Sequence, residues 1–345
     1  MAVIKADFSK EDVCRQLAGG RITALPAVPE LTKDDVMQSS RIVGQMGIEP
    51  VSRALEKGAQ VILAGRAYDP VCFAALPVLL GFDPGLALHA GKILECAAIA
   101  SEPGSGRDCM LGILRGDHFL LQTLSNNRVC TCQSVAAHSL YEKSDPFHLH
   151  GPGGSLDLTD TVYEQVNKNT VKVSGTRFVP VDYTIKLEGA RRVGYRTISI
   201  AGVRDPLMIS KIEEIISLVK QNVADTFQDV KDYYLHFNLY GKQGVMGELE
   251  PAREAAHELG IVIEAVAATQ EDANAIVSSA RSTLLHFGYP GRVSTAGNLA
   301  FPYSPSDFSV GEVFEFSLYH LLRVDDPLVY FPIEMRQMGV NPDEK

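Results

Sequence analysis

The feature that most constrains the fold is a continuously apolar run at residues 59–65 (AQVILAG), placed directly before the polar residues 66–69 (RAYD). A run with no polar face reads as a strand buried on both sides between helices, as in parallel sheets. Asp69 stands where a helix N-cap belongs and Pro70 at the first helical position, so the spacing predicts a helix over residues 70–80. Strand, polar loop and helix in this order place ligands at the carboxyl ends of strands in open α/β sheets. Arg66 at that mouth suits bidentate binding of a carboxylate or phosphate. Asp69 reads either as a catalytic carboxylate or as a plain helix cap.

The flanking segments point to the same class. Residues 2–6 read as a buried strand, and Ser9 caps a helix with Asp12 three residues on. Thr32 opens a helix with Asp35 in the same relation; Val36, Ile42, Val43 and Met46 carry it to Gly47. Residues 50–57 form a helix ended by Gly58, and residues 84–100 one long, mostly apolar helix. Beyond the His/Pro/Gly cluster at 148–154 come short strands at 171–174, 183–187 and 196–201, then a helical run at 206–223. Strands at 233–240 and 260–267, a helix at 270–286 and a last strand at 313–323 follow. The 345 residues leave room for about two domains at roughly 150 residues each. The expected architecture is α/β: an N-terminal parallel-sheet α/β domain at residues 1–150, a mixed α+β domain at 151–338 and a flexible polar tail at 339–345.

Composition narrows the function classes. The chain is 46% hydrophobic and 21% charged, which excludes a disordered chain. The net charge of −10 and the lack of a basic stripe argue against nucleic acid as a partner. No stretch approaches the ~18 apolar residues of a membrane span, and residues 1–5 lack the pattern of a signal peptide, so the expected location is the cytoplasm. The cysteines, Cys14, Cys72, Cys96, Cys109, Cys130 and Cys132, are irregularly spaced and read as reduced thiols. A nucleophilic cysteine needs a neighbouring base such as His138. His148 and His150 (H-x-H) suggest a metal-dependent hydrolase only if a third ligand exists, and none is evident nearby.

Chemistry concentrates in the first half. Lys92, Glu95 and Cys96 stand at i, i+3 and i+4 and share a helix face. Charges on so apolar a helix are expensive unless paired or facing a cavity. A buried Lys beside a Glu suits acid–base work, or is a structural ion pair. His89, one turn earlier, reads as a satisfied core histidine. The loop at 102–107 (EPGSGR) offers amides near Ser105 and Gly106 to an anion, or is an ordinary turn. Lys186 and Glu188 alternate on a half-exposed strand, and Asn298 lies in a long loop of the kind that carries function.

Many separate blocks resemble the acyclic terpene utilisation (AtuA-like) family: GRAYDP (65–70), GKILEC (91–96), LYEKSDP (140–146), VSGTRF (173–178), IKLEGA (185–190), YGKQGVMGELEP (240–251) and TAGNLAFPYSP (295–305). HGPGGSLDLTD (150–160) looks like one branch of that family. Other branches tend to carry His where this chain has Lys92. Family members usually begin about a hundred residues earlier, so the resemblance implies an incomplete first domain whose opening strand needs neighbours from elsewhere. It also implies metabolism of branched acids or their CoA thioesters, a small partner subunit and an oligomeric assembly.

The leading expectation is an enzyme of carboxylic-acid or acyl-CoA catabolism, of lyase, hydratase or isomerase type. Lys92, Glu95 and Asp69 are its candidate catalytic residues; Arg66, Ser105, Gly106, Lys186 and Asn298 bind the substrate. CoA enters only as part of that substrate, and no other cofactor or metal is expected. The rival is a non-catalytic scaffold or ligand-binding subunit of a multisubunit complex.

Overall fold

The computed structural model describes residues 1–338 apart from 253 and 255, so the expected tail at 339–345 lies outside the described residues. The fold is mixed α/β. Its two compact units are Met1–Ala190 with Phe316–Lys345, and Arg191–Glu315. These boundaries differ from the one expected near residue 150. The glycines and proline of that cluster do not form a linker: they turn a hairpin, strand His148–Gly151 against strand Gly154–Asp157. The chain instead passes between units inside two long strands, Thr184–Val203 and Asp307–Arg323. The first of these absorbs both short strands expected at 183–187 and 196–201.

In the first unit, strand Ala2–Ile4 pairs parallel with Ile62–Ala64 and antiparallel with Ile333–Met335. Both neighbours of the opening strand are therefore supplied by this chain, contrary to expectation. The strand at 62–64 is also less covered than its apolar sequence implied: Leu63 is 61% exposed. The core beneath contains Ile4, Val36, Ile42, Met46, Ile185, Leu187 and Phe331.

Several local expectations hold because their caps form. Ser9 accepts from the Asp12 amide at the start of helix Lys10–Ala18, and Thr32 forms a capping box with Asp35. The helix opened by Thr32 does not reach Gly47, however. It covers only Lys33–Gln38, and Arg41–Gln45 is a strand paired with residues 186–190. Ile42 and Val43 fit a helical apolar spacing, but as adjacent β-branched residues they suit the pleated surface better. The helix expected over 84–100 also breaks. It spans Pro84–Leu94, and after Ala97 turns to φ 47° a 3₁₀ turn covers Ala97–Ala100. A strand not foreseen, Met110–Leu114, pairs with His118–Thr123.

The second unit is simpler. Leu259–Ala267 alternates buried and less buried residues and lies between residues 195–203 of the long strand and Tyr234–Tyr240. Helices Ile212–Thr226 and Gln270–His286 cover one face of this sheet, burying Ile215, Val219, Ile276 and Ala280 with Ile261, Ile263 and Ala265. Thr269 caps the second helix through the Asp272 amide. Among the described residues no helix is long and apolar enough to cross a membrane.

Candidate functional site

The site forms where the loop after strand Ile62–Ala64 meets helix Pro84–Leu94, within the first unit. Gly91 permits the meeting: a Cβ there would lie 2.6 Å from the Pro70 carbonyl oxygen, so only a glycine lets the helix approach the loop this closely. The next residue on the helix is Lys92, and the residue before Pro70 is Asp69. Asp69 does not cap the following helix, whose N-cap is Pro70 without a side-chain bond. Its carboxylate instead accepts from Arg66 Nη1 at 3.1 Å.

Lys92 Nζ donates to Glu95 Oε1 at 2.5 Å, with side chains only 5% and 12% exposed. Glu95 Oε2 is buried and has no hydrogen-bond partner among the described residues; the same is true of the Tyr68 hydroxyl and of His138 Nε2. Burial raises the Glu95 carboxyl above the usual carboxylate range, against the pull of Lys92. Burial also raises the Tyr68 hydroxyl, helped by Glu95 and Asp69. His138 stacks on Tyr141 and is held below the usual histidine value by burial and by Lys92. Lys92 itself sits 5.6 Å from the Tyr141 ring centre.

A second layer joins this core. Arg66 grips Glu188 with two bonds, Nε to Oε2 at 2.7 Å and Nη2 to Oε1 at 3.2 Å. Burial pushes the Glu188 carboxyl up, but Arg66 and Lys186 outweigh it and hold the group below its usual range. Lys186, two residues along the strand and so on the same face, lies 3.4 Å from Glu188 and donates to the Tyr319 hydroxyl at 3.3 Å. Lys143 stands over the Tyr68 ring at 5.5 Å.

Of the residues singled out from the sequence, Arg66, Asp69, Lys92, Glu95 and Lys186 thus fall in one neighbourhood. The guanidinium of Arg66 is mostly committed to Glu188, Asp69 and the Ala67 carbonyl, so its fork organises carboxylates rather than standing open. Ser105 and Gly106 do not join the cluster. The Ser105 amide bonds to Ala98 and its hydroxyl accepts from the Arg107 amide, which makes an ordinary local turn. Asn298 belongs to the second unit. Its amide nitrogen donates to the carbonyls of Leu284 and Phe287 and its oxygen accepts from Arg292, closing the end of helix Gln270–His286. His89 is fully buried between Thr176 and Ser139, at 2.7 and 2.8 Å, as expected of a core histidine.

Cys96 and Cys130 sit where burial disfavours the thiolate. Burial and Glu95 raise Cys96, and burial pushes Cys130 up to about 11. His148 pairs with Asp145 at 3.4 Å, and no group of three or more His, Cys, Asp and Glu among the described residues is placed to hold a metal.

Tyr68, Lys143 and Tyr319 were missed from the sequence. Tyr68 and Lys143 lie inside the blocks GRAYDP and LYEKSDP, so block membership was the available signal. Tyr319, in the last strand, carried none.

Residues 2–105 and 114–305 match the family model described as "Acyclic terpene utilisation family protein AtuA". Comparison with curated proteins and with solved structures finds no match.

Proposed function

The chain belongs to the acyclic terpene utilisation family AtuA, and from that premise we propose that it is an enzyme that moves a proton beside the carbonyl of a carboxylate or acyl-CoA substrate. The observation that carries this reading is Glu95: one oxygen is held by a buried lysine while the other is buried without a partner among the described residues. A structural ion pair is expected to satisfy both oxygens, since a buried unsatisfied acceptor costs about 1–3 kcal/mol. Carboxylates shifted by burial beside a charged partner concentrate at catalytic sites.

Arg66 and Lys186 support an anionic substrate: they are partly exposed cations of the cluster, with side chains 33% and 23% exposed. In this scheme Lys186 and Arg66 with its partners orient the anionic end. Glu95 takes or returns the proton, its basicity set by burial and Lys92. The chemistry is of the lyase, hydratase or isomerase kind.

The test needs no knowledge of the product. The full chain is incubated in deuterium oxide with a panel of branched carboxylates and their CoA thioesters, and mass spectrometry follows exchange at the carbon next to the carbonyl. Exchange that disappears in Glu95→Gln supports the reading. Exchange that Glu95→Gln leaves intact overturns it, and exchange that appears only with an added partner protein favours a subunit of a larger complex.

A further inference from the structure

Lys143 is the cation in this cluster for which the proton-transfer reading has no task. Among the described residues Arg66, Lys92 and Lys186 each have a carboxylate within ion-pair distance, and Lys143 has none. Its Nζ lies over the Tyr68 ring, whose buried hydroxyl also has no partner among the described residues. Lys92 and Lys186 act on it as like charges, while Glu95 and Asp69 act in the opposite sense from farther than ion-pair distance. A partly buried amine beside other cations and lacking a counter-ion is the arrangement that makes a lysine nucleophilic.

From this placement we infer that Lys143 is a carbonyl-capturing amine, and that the substrate is an aldehyde or ketone carrying a carboxylate. The inference rests on the proton-transfer reading of the same site and narrows its substrate class. Burial and Lys92 both favour the uncharged amine, lowering Lys143 from the ordinary lysine value.

The step balances without a further reactant. The Lys143 nitrogen lone pair attacks the carbonyl carbon, forming the C–N bond while the C=O π electrons pass to oxygen. The oxygen takes a proton from the Glu95 carboxyl, and the nitrogen returns one to the resulting Glu95 carboxylate. Glu95 passes that proton to the hydroxyl, which leaves as water while the nitrogen lone pair closes the C=N bond. The products are imine and water. Protonated, the imine draws electrons from the adjacent carbon, which eases removal of a proton or cleavage of a C–C bond there.

The probe is pyruvate, a small keto carboxylate, with cyanoborohydride as trap, applied to the full chain and followed by peptide mass mapping. One adduct at Lys143 is expected, lost in Lys143→Arg and slowed roughly 100-fold in Glu95→Gln. In parallel, trace acetic anhydride across a pH series should label Lys143 at a lower pH than exposed lysines. Circular dichroism confirms that both variants fold. Adducts spread over surface lysines, or an adduct that persists in Lys143→Arg, overturn the inference. If nothing traps but deuterium exchange still depends on Glu95, the amine is wrong and the proton-transfer reading stands. If trapping occurs at Lys143 and exchange ignores Glu95, the amine stands and the role of Glu95 falls.

Discussion

One turn apart on helix Pro84–Leu94 stand two buried polar residues with opposite surroundings. His89 is bonded at both nitrogens, to Thr176 and Ser139, and the Ser139 hydroxyl is further tied to Val135 and Tyr163. Lys92 and Glu95 are bonded to each other, yet the second Glu95 oxygen, Tyr68 and His138 keep unmet capacity. Burial alone therefore does not separate structure from chemistry. Satisfaction does: a closed network has nothing to offer a ligand, whereas an open one is costly to maintain unless it is used.

The comparison predicts which property each substitution breaks. The largest effect belongs to Glu95→Gln, which keeps the shape and removes the proton carrier. It should lower the exchange rate per folded molecule by about 10²–10⁴-fold, an effect separate from the stability lost by leaving the buried Lys92 without its counter-ion. His89→Ala should do the reverse. It empties a core site and strips bonds from two hydroxyls, costing about 2–4 kcal/mol in a urea titration, while turnover per folded molecule is retained. Gly91→Ala removes no polar group, but its Cβ would press on the Pro70 carbonyl. A loss of about 1–3 kcal/mol is expected, together with reduced exchange, because the loop carrying Asp69 is displaced. Asn298→Ala should cost only about 1–2 kcal/mol from the end of a helix in the second unit and leave exchange per folded molecule unaltered. An exchange defect there would return Asn298 to the site.

Acidity separates the same two places. Burial holds His89 down to about 3. The unfolded chain binds that proton near pH 6.5 and the folded chain does not, so stability is full above pH 6.5 and falls as the pH drops toward 3, by up to about 1.4 kcal/mol per pH step. His89→Gln should flatten that slope in urea titrations. Glu95 has the opposite sign. Its folded value is raised, so its contribution to stability is present below the ordinary carboxylate range and is lost as the pH rises through the raised value. If Glu95 acts as base, exchange should rise with pH along a limb above the usual carboxylate range, and Glu95→Gln should abolish the limb.

What could be read in advance followed from range along the chain. Ser9 with Asp12 and Thr32 with Asp35 mark where two helices start, because a cap is local. The Lys92–Glu95 pair was legible for the same reason: three residues apart on a helix is adjacency. The helix after Thr32 was overrun because a helical spacing of apolar residues also fits a cap followed by a strand, and only pairing with residues 186–190 decides between them. Asp69 looked like a cap because its position suits one; Arg66 lies close enough to claim the carboxylate first. Glu188 and Lys143 enter the cluster through tertiary packing, from 122 residues beyond Arg66 in the first case, and no spacing rule reaches that far.

Strand Ala2–Ile4 has its antiparallel neighbour at Ile333–Met335, and the terminal amine of Met1 bonds to the Arg336 carbonyl, 335 positions away. During synthesis this strand thus waits for a partner far along the chain, with its edge open while the whole intervening chain emerges. Premature termination before Ile333 would release a product in which that edge is still unpaired, a template for pairing with other chains.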